Sequence, residues 1–366
     1  MAIAGGNITL DSTEGMDKIT QTDKVTSPYF SNGATTLSGT DIVSSSQTGQ
    51  STNETYFFGI ANSATPTVQE FDVTFGDVNG HGADVASGTK SETEAVYKQY
   101  ASLLLAPTEV TGGFFISSPA SDSAITSGKD DEIFVLSARR SNMKDRINKG
   151  TWTIALSGSN TAGTAGTTIL ELTDDSVNDS PTATPVGDRY NIVSGSAGTV
   201  ASASTARNFG FFYPNMGIMV LSQQELSRSI NGKSAGNNTA VTFKSTNHLG
   251  FHTSTDTDAN EKTALRFINC LENDGSLTFR DEEDQVSAQY FCRARSGQMN
   301  FSNNPTFVSG SLNELRQKTM KGNPTTFITS VQLYNDAGDM VAVGNLSTPL
   351  KKNFSSEATI KVKLTY

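Results

Sequence analysis

His248 and His252 stand four residues apart, the spacing at which two imidazoles on one helix face can hold a metal. Gly250 between them and the polar run TSTDTDAN after them favour a loop, and no glutamate follows in an HExxH pattern. The third histidine, His81, lies in GDVNGHGADVASG, where Asp77, Asn79, His81 and Asp84 alternate around Gly82 somewhat as the oxygen ligands of a calcium loop do. Such a loop needs a bidentate glutamate at its twelfth position, and Gly88 occupies it, so the segment reads as a glycine-rich link from strand to helix. The carboxylates Glu272, Asp274 and the run DEED at Asp281–Asp284 are scattered or clustered as a solvated turn would cluster them. A GxSxG elbow, a Walker loop, a dinucleotide fingerprint and a CxxC pair are all missing, so neither an enzyme nor a cofactor is expected.

The elements that would carry these groups read as strands. Charged residues make up 17% of the 366 and apolar ones 35%, and much of the remainder is Ser, Thr, Asn and Gly. β-branched Thr suits strands, while Ser, Asn and Gly suit turns, so the chain is expected to be mainly β with a few short helices. VQEFDVTF, DEIFVLS, TWTIALSGS, TTILELTDDS and DRYNIVSGS alternate as strands do, which makes residues 131–196 one antiparallel sheet region with Asp174 and Asp175 in a turn. FGFFYPNMGIMVLS is apolar and broken by a turn signal at Pro214 and Asn215, whereas ALRFINCLE fits helix or strand equally. Ser91 with Glu94 and Ser222 with Glu225 have capping-box spacing, and the first precedes a helix near 92–106 with Val96, Tyr97, Tyr100, Leu103 and Leu104 on one face.

At the C-terminal end, Phe327, Val331 and Leu333 fall on one face of a strand and Ile328 and Tyr334 on the other, so cover on both faces is expected. NDAGD supplies hairpin turn chemistry, and Ile360, Val362, Leu364 and Tyr366 alternate with Lys361, Lys363 and Thr365 as in a half-buried strand. The expected architecture is antiparallel β-sandwich or meander domains with an extended N-terminal arm. Residues 1–66, rich in Ser, Thr, Gly and Asn, form that arm or an edge region; 67–200 form one β-rich domain and 201–366 a second, ending in the meander.

The net charge of −10 repels phosphate and anionic lipid, so nucleic acid and membrane surfaces are not expected partners. Cys270 and Cys292 are too few for a disulfide framework and read as buried thiols made in a reducing cytoplasm. One locally basic run, with Arg139, Arg140, Lys144, Arg146 and Lys149, either docks on an acidic patch of a neighbouring subunit or makes a solvent-facing edge that blocks sheet aggregation.

YFCRARSGQMNFSNNPTFVSG and NPTTFITSVQLYNDAGDMVAVGNLSTPLKKNFSSEATIKVKLTY resemble the C-terminal region of virion structural proteins of large contractile-tailed, T4-like phages of the cyanophage type. GDVNGHGADVASGTKSETEAVYKQYASLLLAP, DEIFVLSARRSNMKDRINKGTWTIALSGS and DRYNIVSGS resemble the same family, so the likeness covers much of residues 70–366. Asp77 and Asp84 depart from the Ser and Gly expected in that loop, and residues 1–66 carry no such likeness. The resemblance implies a non-enzymatic virion component of the tail, at the baseplate or its wedges, made in the host cytoplasm. It also implies other virion proteins as partners and several copies in a symmetric assembly. Arg139, Arg140, Lys144 and Arg146, together with the loop residues Asn303, Asn304 and Pro305, are the expected subunit contacts. A neck or capsid-surface protein is an alternative reading. Another is a host-surface or glycan-binding module using Trp152, Tyr190, Phe211, Phe212 and Tyr213, although their apolar strand-like settings make them core candidates first.

Overall fold

In the strand Glu132–Ala138, Phe134, Leu136 and Ala138 join one hydrophobic cluster while Ile133 and Val135 join another. Side chains alternate across a strand, so a run apolar at every position must be covered on both faces. Its neighbours repeat the division. Phe212, Met219 and Leu221 belong to the first cluster, and Phe211, Tyr213, Ile218 and Val220 to the second.

A computed structural model describes residues 17–45, 57–80, 92–110, 113–116, 129–158, 168–201, 207–229, 260–272, 274–301 and 304–366. The chain forms two compact units, one of Val25–Glu283 and one of Met1–Lys24 with Asp284–Tyr366. The first is called the body here and the second the terminal unit. As the composition suggests, the described chain is mainly antiparallel β with three α-helices, Glu92–Leu104, Gln223–Ser229 and Asn260–Glu272.

The body is built on one large sheet whose strands run in the spatial order Thr36–Ser38, Ser276–Thr278, Thr153–Gly158, Thr168–Asp174, Gly187–Ser196, Asn208–Tyr213, Ile218–Ser222, Glu132–Ala138, Thr65–Asp77, Phe58–Asn62 and Ile42–Ser45. Its two outermost strands are joined in sequence by the single turn Gly39–Asp41, so the sheet curls nearly closed. The helix Asn260–Glu272 resolves the ambiguous ALRFINCLE run: Ala264, Phe267, Ile268, Cys270 and Leu271 enter the first cluster. The helix Glu92–Leu104 covers the opposite side through Tyr97, Ala101 and Leu104, while Leu103, expected on that face, is exposed. Ser91 lies outside the described residues. At the second site Ser222 caps the helix, with the Glu225 amide donating to Ser222 Oγ at 3.3 Å, and the Glu225 carboxylate accepts from Arg207 Nε at 3.0 Å.

Three organisational expectations change. Residue 200 does not separate two domains, because Gly187–Ser196 pairs with Asn208–Tyr213 across it inside one sheet. Residue 66 does not end an arm, since Phe58–Asn62 pairs with Thr65–Asp77 and Tyr29, Phe30, Leu37, Ile42, Phe58 and Ile60 are core. Among the described residues of this part, Phe58–Asn62 is buried throughout, whereas the strand Lys18–Pro28 is exposed along most of its length. Within 131–196, Glu132–Ala138 lies between Ile218–Ser222 and Thr65–Asp77 and not beside the strands that follow it in sequence. Asp174 and Asp175 are buried, holding the amides of Gly150 at 2.8 Å and Asn191 at 3.0 Å respectively.

Where the sheet meets the glycine-rich loop, Asp77 and Glu132 are cross-strand partners. Burial first, then the charges of Asp77 and Asp131, push the Glu132 carboxyl from 4.5 up to about 8. Burial also raises Asp130 to about 6 and Asp281 to about 7. Between the ordinary Glu132 value of 4.5 and about 8, the folded chain keeps a proton that the unfolded chain has released. Stability should therefore fall as pH rises through that window. Urea melts at stepped pH should show this slope, and Glu132→Gln should flatten its upper part; an unchanged slope would refute the assignment.

Candidate interaction surface

The terminal unit has regular ladders but almost no apolar interior. Neither hydrophobic cluster extends beyond Phe279, and among the described residues of 284–366 the only buried apolar side chains are Ala288, Ala294 and Ala358. Eight register pairs, from Ser287↔Thr365 to Ala294↔Ala358, join the strand Arg280–Ala294 to Ala358–Thr365. Ile360, Val362 and Leu364 alternate with exposed Lys361 and Lys363 as the period requires, yet all three are only half-buried.

The hairpin of Thr326–Tyr334 and Met340–Lys352 forms a two-stranded sheet of its own. Asn335 closes its turn: its amide donates to Asp339 O at 3.0 Å, its Oδ1 accepts from the Asp339 amide at 2.7 Å, and Gly338 takes φ 89. A register shift between Ile328 and Ser330 changes the parity, so Ile328, Val331 and Leu333 are the half-buried set while Phe327 and Tyr334 are exposed. Cover on both faces is thus not what the fold provides. Met340, Val341, Val343 and Leu350 are exposed as well. A two-stranded hairpin is marginal in water, and clustered exposed apolar side chains with unpaired strand edges mark contact surfaces.

A buried lysine holds the base of this hairpin. Lys352 is fully buried, and its Nζ donates to Ser296 O, Asn300 Oδ1 and Asn353 O, each at 3.0 Å. Its cross-strand partner Thr326 donates to Met299 O at 2.7 Å. Hydrogen bonds to an ammonium therefore occupy the place where apolar packing would normally sit.

The basic run lies in the body and is paired there. Arg139 Nε is 2.9 Å from Asp72, Lys144 Nζ 3.1 Å from Glu283, and Arg146 Nε 2.7 Å from Glu282. Arg140 donates to Asp145 O at 3.1 Å, and the Lys149 ammonium stands 4.8 Å from the Tyr190 ring centroid. DEED is accordingly no solvated turn: it begins a strand, Asp281 and Glu282 are buried, and their register partners are Ile147 and Arg146. Asn148 also donates to Glu282. Glu282→Ala would leave Arg146 and Asn148 without that carboxylate and should cost about 2 kcal/mol in chemical denaturation.

Asn304 caps the turn Pro305–Phe307, its Oδ1 accepting from the Thr306 amide at 3.0 Å, and Pro305 is exposed. Asn303 lies outside the described residues, as do His81, Gly82, Asp84, His248 and His252. The aromatic candidates for glycan contact, Trp152, Tyr190, Phe211, Phe212 and Tyr213, are all core. Glu272 accepts from the Ser44 amide at 3.2 Å, and among the described residues no group of His, Cys, Asp and Glu could hold a metal. Burial pushes the Cys270 thiol up to about 12, away from thiolate chemistry, and Cys292 is half-buried and also raised. No described helix is long and apolar enough to cross a membrane.

Sequence reading singled out charged and Asn-rich loops and missed Val341, Val343 and Lys352. The signal was present in MVAV, because consecutive apolar residues in a strand must put some on each face. Comparison with protein-family models, with curated proteins and with solved structures finds no match.

Proposed function

We propose that this chain is a non-enzymatic structural subunit of a contractile phage tail, a baseplate wedge component whose terminal unit makes the subunit contacts. The observation that carries the reading is the exposed apolar hairpin in a unit whose buried apolar side chains, among the described residues, are three alanines. Such a unit gains its missing cover by association, and the wording of the same segment supplies the virion resemblance. The ion pairs within the body leave the terminal unit as the better candidate contact than the basic run. Mass spectrometry of purified particles, followed by imaging of a tagged chain, tests this. Density at the baseplate is the expected result; density at the neck or capsid surface would move the subunit, and absence from the particle would end the proposal.

A further inference from the structure

We propose that the uncovered terminal unit is received by the body of a second copy of this chain, head to tail; this rests on the assembly reading above. Charge separates the two parts. The terminal unit, residues 1–24 with 284–366, carries 11 Lys and Arg against nine Asp and Glu, whereas the body, residues 25–283, carries 16 against 28. The ladder register gathers the basic groups: Phe291↔Lys361, Gln289↔Lys363 and Arg293↔Thr359 place Arg293, Lys361 and Lys363 on one face, with no acid among those six positions. All three cations are exposed, and the Lys361 ammonium is 5.9 Å from the Phe291 ring centroid.

The body offers a complementary chemistry. Ile169 and Val177 are exposed at 56% and 65%, on and just after the strand Thr168–Asp174. Exposed Glu171, Asp179 and Asp188 belong to the same strand, the segment following it and the next long strand. Of the nearby cations, Lys149 donates to Tyr190 at 2.5 Å and the Arg189 guanidinium lies over the Phe211 ring at 4.3 Å. The terminal unit thus carries exposed basic and apolar groups, and the body exposed acidic and apolar ones, on the same polypeptide. Because the two surfaces differ, the contact is heterologous and repeats around a ring or along a filament instead of closing as a two-fold dimer.

Sedimentation velocity of the full chain tests this. Association beyond a dimer is expected, weakening at least about tenfold between roughly 50 and 500 mM NaCl as the charges are screened. The exposed substitutions K361E/K363E should abolish it, as should E171K/D179K, with far-UV circular dichroism confirming that both variants fold. Mixing the two variants should restore association, because the unaltered basic surface of one meets the unaltered acidic surface of the other and the two reversed surfaces also complement each other. A monomer at all concentrations, a closed dimer, salt-insensitive association or failure of the mixture to pair would overturn the inference. Finding the chain in particles while it fails these tests would leave the structural-subunit reading standing, with a different protein as the cover.

Discussion

Trp152→Ala is expected to destabilise the body by about 4 kcal/mol and lower its melting temperature by roughly 10 °C. Trp152 is fully buried, stacked on Phe279 at 5.7 Å and 13°, and edge-on to Phe212 at 5.2 Å. Phe279 continues the contact to Phe71, and Phe71 to Tyr29, so the ring lies in a chain of aromatics running through the first cluster. Removing it deletes a large apolar surface and leaves a cavity that strands tied on both sides cannot collapse to fill. The loss should appear in calorimetry or circular dichroism. A shift under about 1 kcal/mol would mean that this cluster is not the stabilising centre.

Lys352→Met should act on the terminal unit instead, costing about 3 kcal/mol there. Methionine preserves much of the apolar stem but removes the ammonium from Ser296 O, Asn300 Oδ1 and Asn353 O. Buried Asn300 Oδ1 then loses this donor, while Ser296 O keeps Asn300 Nδ2 and Asn353 O the Ser356 amide at the base of the hairpin. Hydrogen exchange should rise across Thr326–Lys352, while fluorescence of the single tryptophan, which lies in the body, should report unchanged stability. Unaltered exchange in the hairpin would show that the lysine cage is dispensable.

Local pattern made the strands legible because alternation, turns and caps are written in adjacent residues. The NDAGD turn, the break at Pro214 and Asn215, and the Ile360–Leu364 period all recur in the fold. Partnership across the chain was not legible. The basic run and DEED look like two solvated charge segments until strand pairing sets Arg146 opposite Glu282. The hairpin faces were misread for a related reason: a register shift after Ile328 reverses parity, and nothing local to that residue announces it. The absence of buried large apolar side chains among the described residues of the terminal unit is a property of assembly in space, visible only once the strands have been placed.

The near-closure of the large sheet also sets an order of events in time. Among the described residues, Thr36–Ser38 pairs only with Ser276–Thr278, and the hydroxyls of Thr36 and Thr278 meet across 242 residues of chain. A ribosome must therefore deliver nearly the whole body before the first short strand can dock. The inner strands, linked by hairpins, can pair earlier. Folding should proceed from these local pairings outward, with seam closure as a late and slow step governed by long loop closure.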